Sequence, residues 1–300
     1  MARWLLLVCV LSLVIPAAGF SRTWYIKSDG SGDAATIQDG INVANPGDSV
    51  VVAQGTYCEN IRMRNWVTLC SELGPELTTV NGGASGLVIL CESVQGCTVA
   101  GFTLTNGRSV NGGGVLCTQS TGIAIRGNRI IENTGLDSGA GIYWHLSSGI
   151  IEWNLIANNS VVGIYCSYAS PEIGHNTISS NLGPVNLTLY YSSPGIHHNI
   201  VVNGQAGIRC EPGSYPTLWC NDVWGHTDCD YCCITVPVPG SLDISMDPLF
   251  CDPDNMDFRI DRQSPCANQP GCGLVGAYGP ACGATGIEGN SWGAIKSMYR

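Results

Sequence analysis

Five asparagines are spaced at nearly one interval. Asn128, Asn154, Asn176, Asn199 and Asn221 follow one another by 26, 22, 23 and 22 residues. Two residues after each stands an aliphatic, Ile130, Ile156, Ile178, Val201 and Val223; three before each stands another, Ile125, Ile151, Ile173, Ile196 and Leu218. Further upstream come Gly141-Ile142, Gly163-Ile164 and Gly207-Ile208, with Asn186-Leu187 in the equivalent place of the remaining unit. A second polar position recurs at Asn133, Asn159, Asn181 and Asn203. A unit this short cannot bury its own apolar side, but stacked units share one core. The runs are brief, rich in β-branched residues and separated by turn formers, without a sustained helical period. The expected fold is all-β: a right-handed parallel β-helix, the hand following the general rule for parallel crossovers. Aligned asparagines would serve as a structural ladder, bonding to one another and to nearby backbone at tight corners.

The solenoid is expected over residues 48–225, its earlier coils less regular, with Val50-Val51-Val52, Val67-Thr68-Leu69, Leu87-Val88-Ile89-Leu90 and Phe102-Thr103-Leu104 as short strands. A solenoid needs caps. Residues 20–47 form the first: a strand over Thr23-Trp24-Tyr25-Ile26, then a short helix with Thr36 as N-cap, Asp39 in the capping-box place and Ile37, Ile41 and Ala44 on one face. Residues 226–282 form a cysteine-rich irregular closing module, and 283–300 a flexible tail.

Residues 1–19 read as a signal peptide: Arg3, an apolar run from Trp4 to Ile15 too short to span a bilayer, then Pro16 and the small residues Ala17-Ala18-Gly19. Secreted or periplasmic localisation follows, with cell-surface association open. The 16 cysteines, 15 of them after Cys9 leaves with the leader, suit an oxidising compartment, and their odd number leaves at least one outside an internal pair. Charged residues make up 12% of the chain, net charge is -10, and Lys27 and Lys296 are the lysines. Such a surface is a poor partner for nucleic acid. Membrane insertion is not expected, and the chain is expected to be a monomer.

Gly30-Ser31-Gly32-Asp33, Thr36-Ile37-Gln38-Asp39-Gly40-Ile41, Gly47-Asp48-Ser49-Val50-Val51-Val52 and Gly55-Thr56-Tyr57-Cys58-Glu59-Asn60-Ile61 together resemble the N-terminal cap and first coil of secreted bacterial β-helix proteins of the pectin-lyase-like superfamily, including its periplasmic copper-accessory type. Asp247-Pro248-Leu249-Phe250, Ser264-Pro265 and Gly276-Ala277 resemble their closing sequence. The resemblance spans residues 23 to 282 and implies the fold; the superfamily mixes lyases, hydrolases, epimerases, adhesins and proteins without known chemistry, so it implies no single activity.

A glycoside hydrolase needs two carboxylates about 5–5.5 Å or about 6.5–9.5 Å apart. The paired aspartates and Gly-His-Gly segment of the superfamily hydrolases are missing; Glu132, Asp137 and Glu152 are the weak candidates, and Glu152 and Glu172 fall out of register. A lyase needs a base and charge stabilisation. Arg209 with Glu211 is the weak candidate there, Arg126 and Arg129 lie farther along the axis, and calcium would enter only for a lyase. No metal and no other cofactor is expected. His175 and His198 each precede a ladder asparagine, with Trp153 and Cys220 in the flanking units, but solenoid stacking explains them without an ion and Cys220 suits a disulfide. Tyr143, Trp144, Tyr165, Tyr168, Tyr190 and Tyr191 recur near one coil position, with His145 beside them, and form either a column for sugar faces or filler along the core. The function expected is therefore that of a secreted, non-catalytic β-helix protein with a glycan-binding or cell-envelope structural or adhesive role, with a polysaccharide or cell-surface component as partner. The alternative is a polysaccharide lyase or glycoside hydrolase acting on an extracellular polysaccharide. A third reading, a periplasmic metal-accessory protein, needs His175 and His198 to converge on a thiolate or thioether.

Overall fold

The computed structural model describes residues 21–233 and 235–283; the segments read as signal peptide and as tail beyond Gly283 lie outside them. The chain winds as a right-handed parallel β-helix. Each coil lays one short strand in each of three parallel sheets. The first sheet runs from Thr23–Ile26 to Thr217–Trp219, the second from Gly55–Cys58 to Asp222–Trp224, and the third from Ile61–Arg62 to Cys229–Cys233.

Alternation within these strands turns one side chain in and the next out, so in-register residues form columns along the axis. Ile125, Ile151, Ile173, Ile196 and Leu218 are one inward column. Ile130, Ile156, Ile178, Val201 and Val223 are a second. Ile142, Ile164, Leu187 and Ile208 are a third. All are buried, and each is worth about 1.5–3 kcal/mol relative to exposure. That is why one aliphatic pattern recurs every 22–26 residues.

At the corner between the first and second sheets the five asparagines are fully buried and bond in series. Asn128 Nδ2 donates to Asn154 Oδ1 at 3.1 Å, Asn154 Nδ2 to Asn176 Oδ1 at 3.0 Å, Asn176 Nδ2 to Asn199 Oδ1 at 3.0 Å, and Asn199 Nδ2 to Asn221 Oδ1 at 3.1 Å. Asp243 closes the row, its carboxylate accepting from Asn221. A second row runs Asn133, Asn159, Asn181, then Asn186 rather than Asn203. Asn203 stands four residues after Asn199, where Asn133, Asn159 and Asn181 stand five after theirs. It falls on the preceding, left-handed corner with Glu132, Asn158 and Ser180 (φ 53–56°), and Asn186 fills the vacated place.

The N-terminal helix is Ile37–Val43; Thr36 Oγ1 accepts from Asp39 N at 3.0 Å, and Ile37 and Ile41 are buried over the first coil. Asp48, also buried, accepts from Arg22 N, Trp24 Nε1 and Asn45 N, tying the entering strand to the helix exit. At the far end three strands, Phe250–Asp252, Asp257–Asp261 and Pro280–Cys282, make a small sheet outside the stack. Disulfides Cys210–Cys233, Cys220–Cys272, Cys229–Cys232 and Cys251–Cys282 concentrate in this region. Cys229, Cys232 and Cys233, within the module expected to be irregular, lie on a strand paired in parallel with Ala206–Cys210.

Asp222, fully buried under this closing module, accepts from Met246 N and from the Cys266 thiol, each at 3.0 Å. Burial pushes its carboxyl from 3.8 to about 6, with Asp230 and Asp247 adding to the rise and its two donors opposing it. The folded chain therefore keeps a proton that the unfolded chain releases between about pH 4 and 6. Stability from this group is complete below pH 4 and is lost by about pH 6, a change of about 3 kcal/mol. Urea midpoints of wild type minus Asp222→Asn are expected to fall across that window and stay level above it; a flat difference would place the carboxyl near its ordinary value.

Candidate functional site

The corner that carries the asparagine ladder forces the residue before each asparagine into the left-handed region. Glycine stands there at Gly127 (φ 59°), as Gly101 (φ 79°) does before Phe102 at the same corner one coil earlier, followed by Trp153, His175, His198 and Cys220 (φ 51–59°). A non-glycine residue in this region costs about 1–2 kcal/mol. Four successive coils accept that cost, and their side chains leave the corner in one direction. Trp153 stacks on His175 with centroids 4.0 Å apart and planes 5° apart; His175 stacks on His198 at 4.7 Å. Cys220, next in line, is held in its disulfide with Cys272, so no thiolate of Cys220 meets the imidazoles.

A parallel column ends the strands of the first sheet: Arg126, Glu152, Gly174, His197 and Trp219 are in register. His197 stacks on Trp219 at 4.5 Å and turns its edge to His175 and His198. Gly174 makes this position available: a Cβ there would lie 2.4 Å from His197 Cε1 and 3.0 Å from both ring nitrogens.

His175, His197 and His198 thus converge, with one ring nitrogen from each within 4.8 Å of the others. His197 Nδ1 and His198 Nδ1 are 3.1 Å apart, sharing a hydrogen bond, while His175 Nδ1 is buried without a partner. Burial, then the charges of His198 and His197, push His175 down to about 3. Burial followed by His198 lowers His197, and burial lowers His198 against an opposing backbone bond at Cys272. All three rings are therefore neutral near pH 7, with lone pairs available. Neutral imidazoles suit copper or zinc, and the unpartnered His175 Nδ1 fits such a ligand set. The expectation of no metal and no cofactor is corrected by this cluster. His197 joins the pair His175 and His198 expected from the repeat; its sequence signal is the His197-His198 doublet one coil below His175.

The remaining candidates are dispersed. Glu152 is paired with Arg126 at 3.5 Å. Glu132 sits on the corner after the second-sheet strand Arg129–Ile131, and Asp137 on the excursion strand Thr134–Ser138. Arg209 is on the third sheet in register with Thr188, and Glu211 follows that strand. Glu132, Asp137 and Glu152 thus stand on different sheets, whereas Arg209 and Glu211 are two residues apart at one end of a third-sheet strand. Tyr143 and Tyr165 stack at 5.5 Å on the third sheet. Tyr168 and Tyr191, half exposed, stack at 5.1 Å with planes 4° apart, and Tyr190 meets both edge-on. Trp144 departs from the expected surface column: it is 0% exposed and faces the core between Cys117 and Cys166, because strand alternation turns it opposite to Tyr143.

Among the described residues no helix is long and apolar enough to cross a membrane. A comparison with curated proteins finds no match. Residues 25–235, which include every coil that builds the histidine cluster, match the family described as "Periplasmic copper-binding protein (NosD)". The periplasmic or secreted localisation read from the leader agrees with that description. With more than two thirds of its length matched, the chain belongs to the NosD family of β-helix proteins.

Proposed function

We propose that this protein binds a copper ion outside the cytoplasm through His175, His197 and His198. The observation that carries the reading is the convergence of three neutral imidazoles, one with a buried, unpartnered nitrogen. The family description supports copper over zinc. Donors on a common ion at about 2.0–2.1 Å sit closer together than 4.8 Å, so the rings would close inward on binding. A copper ion supplies a Lewis-acid, redox-active centre when bound; the chain supplies neutral nitrogen donors, walled by Trp153 and Trp219.

The test is titration of the purified protein with Cu(II), read by tryptophan fluorescence and by electron paramagnetic resonance. Trp153 and Trp219 lie against the rings, so emission is expected to fall and saturate at one equivalent, with hyperfine structure from three nitrogens. A linear, unsaturated response without nitrogen hyperfine would overturn the reading.

A second reading, contact with a polysaccharide, is favoured by the coplanar pair Tyr168 and Tyr191. It flanks a shallow hollow of about 490 Å³ lined also by Ser120, Ser147, Ser148 and Ser170. Flat rings beside hydroxyls suit the apolar face and the rim of a sugar. In this reading Tyr143, Tyr165 and Tyr190 extend the platform. Affinity electrophoresis through gels of neutral and uronate polysaccharides is expected to retard wild type, and the Tyr168→Ala/Tyr191→Ala variant about tenfold less; equal mobility of the two in every gel would reject it.

A further inference from the structure

The four disulfides leave a group of thiols deep inside the earlier coils. Cys91, Cys97 and Cys117 are each 0% exposed. Cys91 and Cys117 belong to one inward column of the third sheet, which continues through Trp144, Cys166 and Leu189 to Cys210 and Cys233. At its far end that column is already bridged, Cys210 to Cys233, across a Cα–Cα distance of 4.6 Å. Interior positions of this stack therefore accommodate a disulfide.

Cys97 enters from a different direction. It lies just before the first-sheet strand Thr98–Ala100, while Cys91 lies on the third-sheet strand Ile89–Glu92. The corner between them turns through Ser93 and Gly96, both left-handed. This brings Cys97 Sγ to 3.8 Å from Cys91 Sγ. A disulfide needs about 2.05 Å, so the two sulfurs must close by about 1.8 Å. The protein is exported to a compartment where disulfides form and persist.

We propose that Cys91 and Cys97 are joined by a disulfide in the mature exported protein, with Cys117 remaining as a thiol beside them. The oxidant is another disulfide, of the kind carried by thiol–disulfide oxidoreductases. The thiolate of one cysteine attacks it, forming a mixed disulfide and expelling one thiolate. The second cysteine then attacks the sulfur of the first, expelling the other thiolate. The two protons lost from Cys91 and Cys97 end on the two thiols of the reduced oxidant, which takes up the two electrons. The Cys117 contact and burial push the Cys91 thiol well up, and the Cys91 contact and burial raise Cys97. Neither ionises readily inside the finished stack, so the exchange belongs to the stage before these coils close. Once made, the link ties the third sheet of one coil to the first sheet of the next through a short corner.

The test is thiol mapping of the exported protein. It is denatured in guanidinium with iodoacetamide and no reductant, then digested with trypsin together with a protease that cuts after glutamate. Cleavage after Glu92 separates Cys91 from Cys97, and cleavage after Arg108 separates Cys97 from Cys117, so the link joins two peptides and Cys117 falls on a third. The expected result is that linked pair, 2 Da lighter than the sum of its thiol forms, together with alkylated Cys117. Alkylation of both Cys91 and Cys97 overturns the proposal. So does a link from either one to Cys117, to Cys70 or to a second copy.

Discussion

Replacing Asn154 with leucine is expected to lower the unfolding free energy by about 4 kcal/mol. Asn154 sits in the middle of the buried row. Its Oδ1 accepts from Asn128 N at 3.0 Å and from Asn128 Nδ2 at 3.1 Å. Its Nδ2 donates to Ile125 O at 2.9 Å and to Asn176 Oδ1 at 3.0 Å. Leucine keeps the branched shape and is the larger residue, so the loss is not a cavity but a set of stranded polar groups, with some overpacking added. Asn128 N and one Asn128 Nδ2 hydrogen lose their acceptor, and Ile125 O loses a donor, in a place water does not reach. Each such group costs about 1–3 kcal/mol before relaxation. Aspartate at the same position should be worse than leucine, because it buries a charge and turns an acceptor toward Asn176 Oδ1 and Ile125 O. Stability in a solenoid is carried by nearest-neighbour interfaces, so the damage also separates the coils before residue 154 from those after it. Urea unfolding of the variant should show a lower midpoint and a broader or split transition. A leucine variant within 1 kcal/mol of wild type, with an unchanged slope, would mean that the ladder adds little beyond the aliphatic columns.

The coils were legible because an inward position tolerates few residue types. An aliphatic must return wherever the chain passes the axis, and a buried corner amide must meet another like itself, so Ile125 to Leu218 and Asn128 to Asn221 recur visibly. Where the recurrence is by composition alone, a one-residue slip goes unseen. Asn203 carries the right side chain on the wrong corner residue, and its place is taken by Asn186, whose Nδ2 also reaches Val202 O and His226 Nε2. Trp144 shows the same limit: three ring-bearing residues in a row read as one patch until strand alternation assigns the middle one to the core. The histidine cluster was only half legible. His175 and His198 lie on a repeat position, but His197 belongs to the outward column Arg126, Glu152, Gly174, His197 and Trp219, where solvent permits any chemistry and no repeat can show. Its nearness to His175 is a product of register and of the missing side chain at Gly174.

That missing side chain predicts that Gly174→Ala behaves like His197→Ala in copper binding, each weakening affinity about 10- to 100-fold. Gly174 is a buried strand residue outside the left-handed region, in register with Glu152 above and His197 below. Alanine suits its backbone, so the substitution acts through its Cβ. That atom would lie 2.4 Å from His197 Cε1 and 3.0 Å from Nδ1 and Nε2. The strands are fixed by the ladder Ile151, Ile173 and Ile196, so the ring, not the backbone, must move. It has to leave both the face of Trp219 and the neighbourhood of His175. The nitrogen hyperfine pattern of bound Cu(II) should drop from three donors to two in both variants, while the thermal midpoint of the copper-free protein stays within a few degrees of wild type. Gly195→Ala is the control. Its Cβ meets the end of the exposed Glu172 side chain, whose carboxylate lies 3.9 Å from His197 Nε2 and can swing into solvent without moving the ring, so the count of three nitrogens should be retained. If Gly174→Ala keeps the full nitrogen count and affinity, His197 is not one of the three donors and a ligand other than His197 completes the set with His175 and His198. If Gly174→Ala loses affinity but His197→Ala does not, the alanine acts on His175 instead, and the donor set has to be redrawn around that ring.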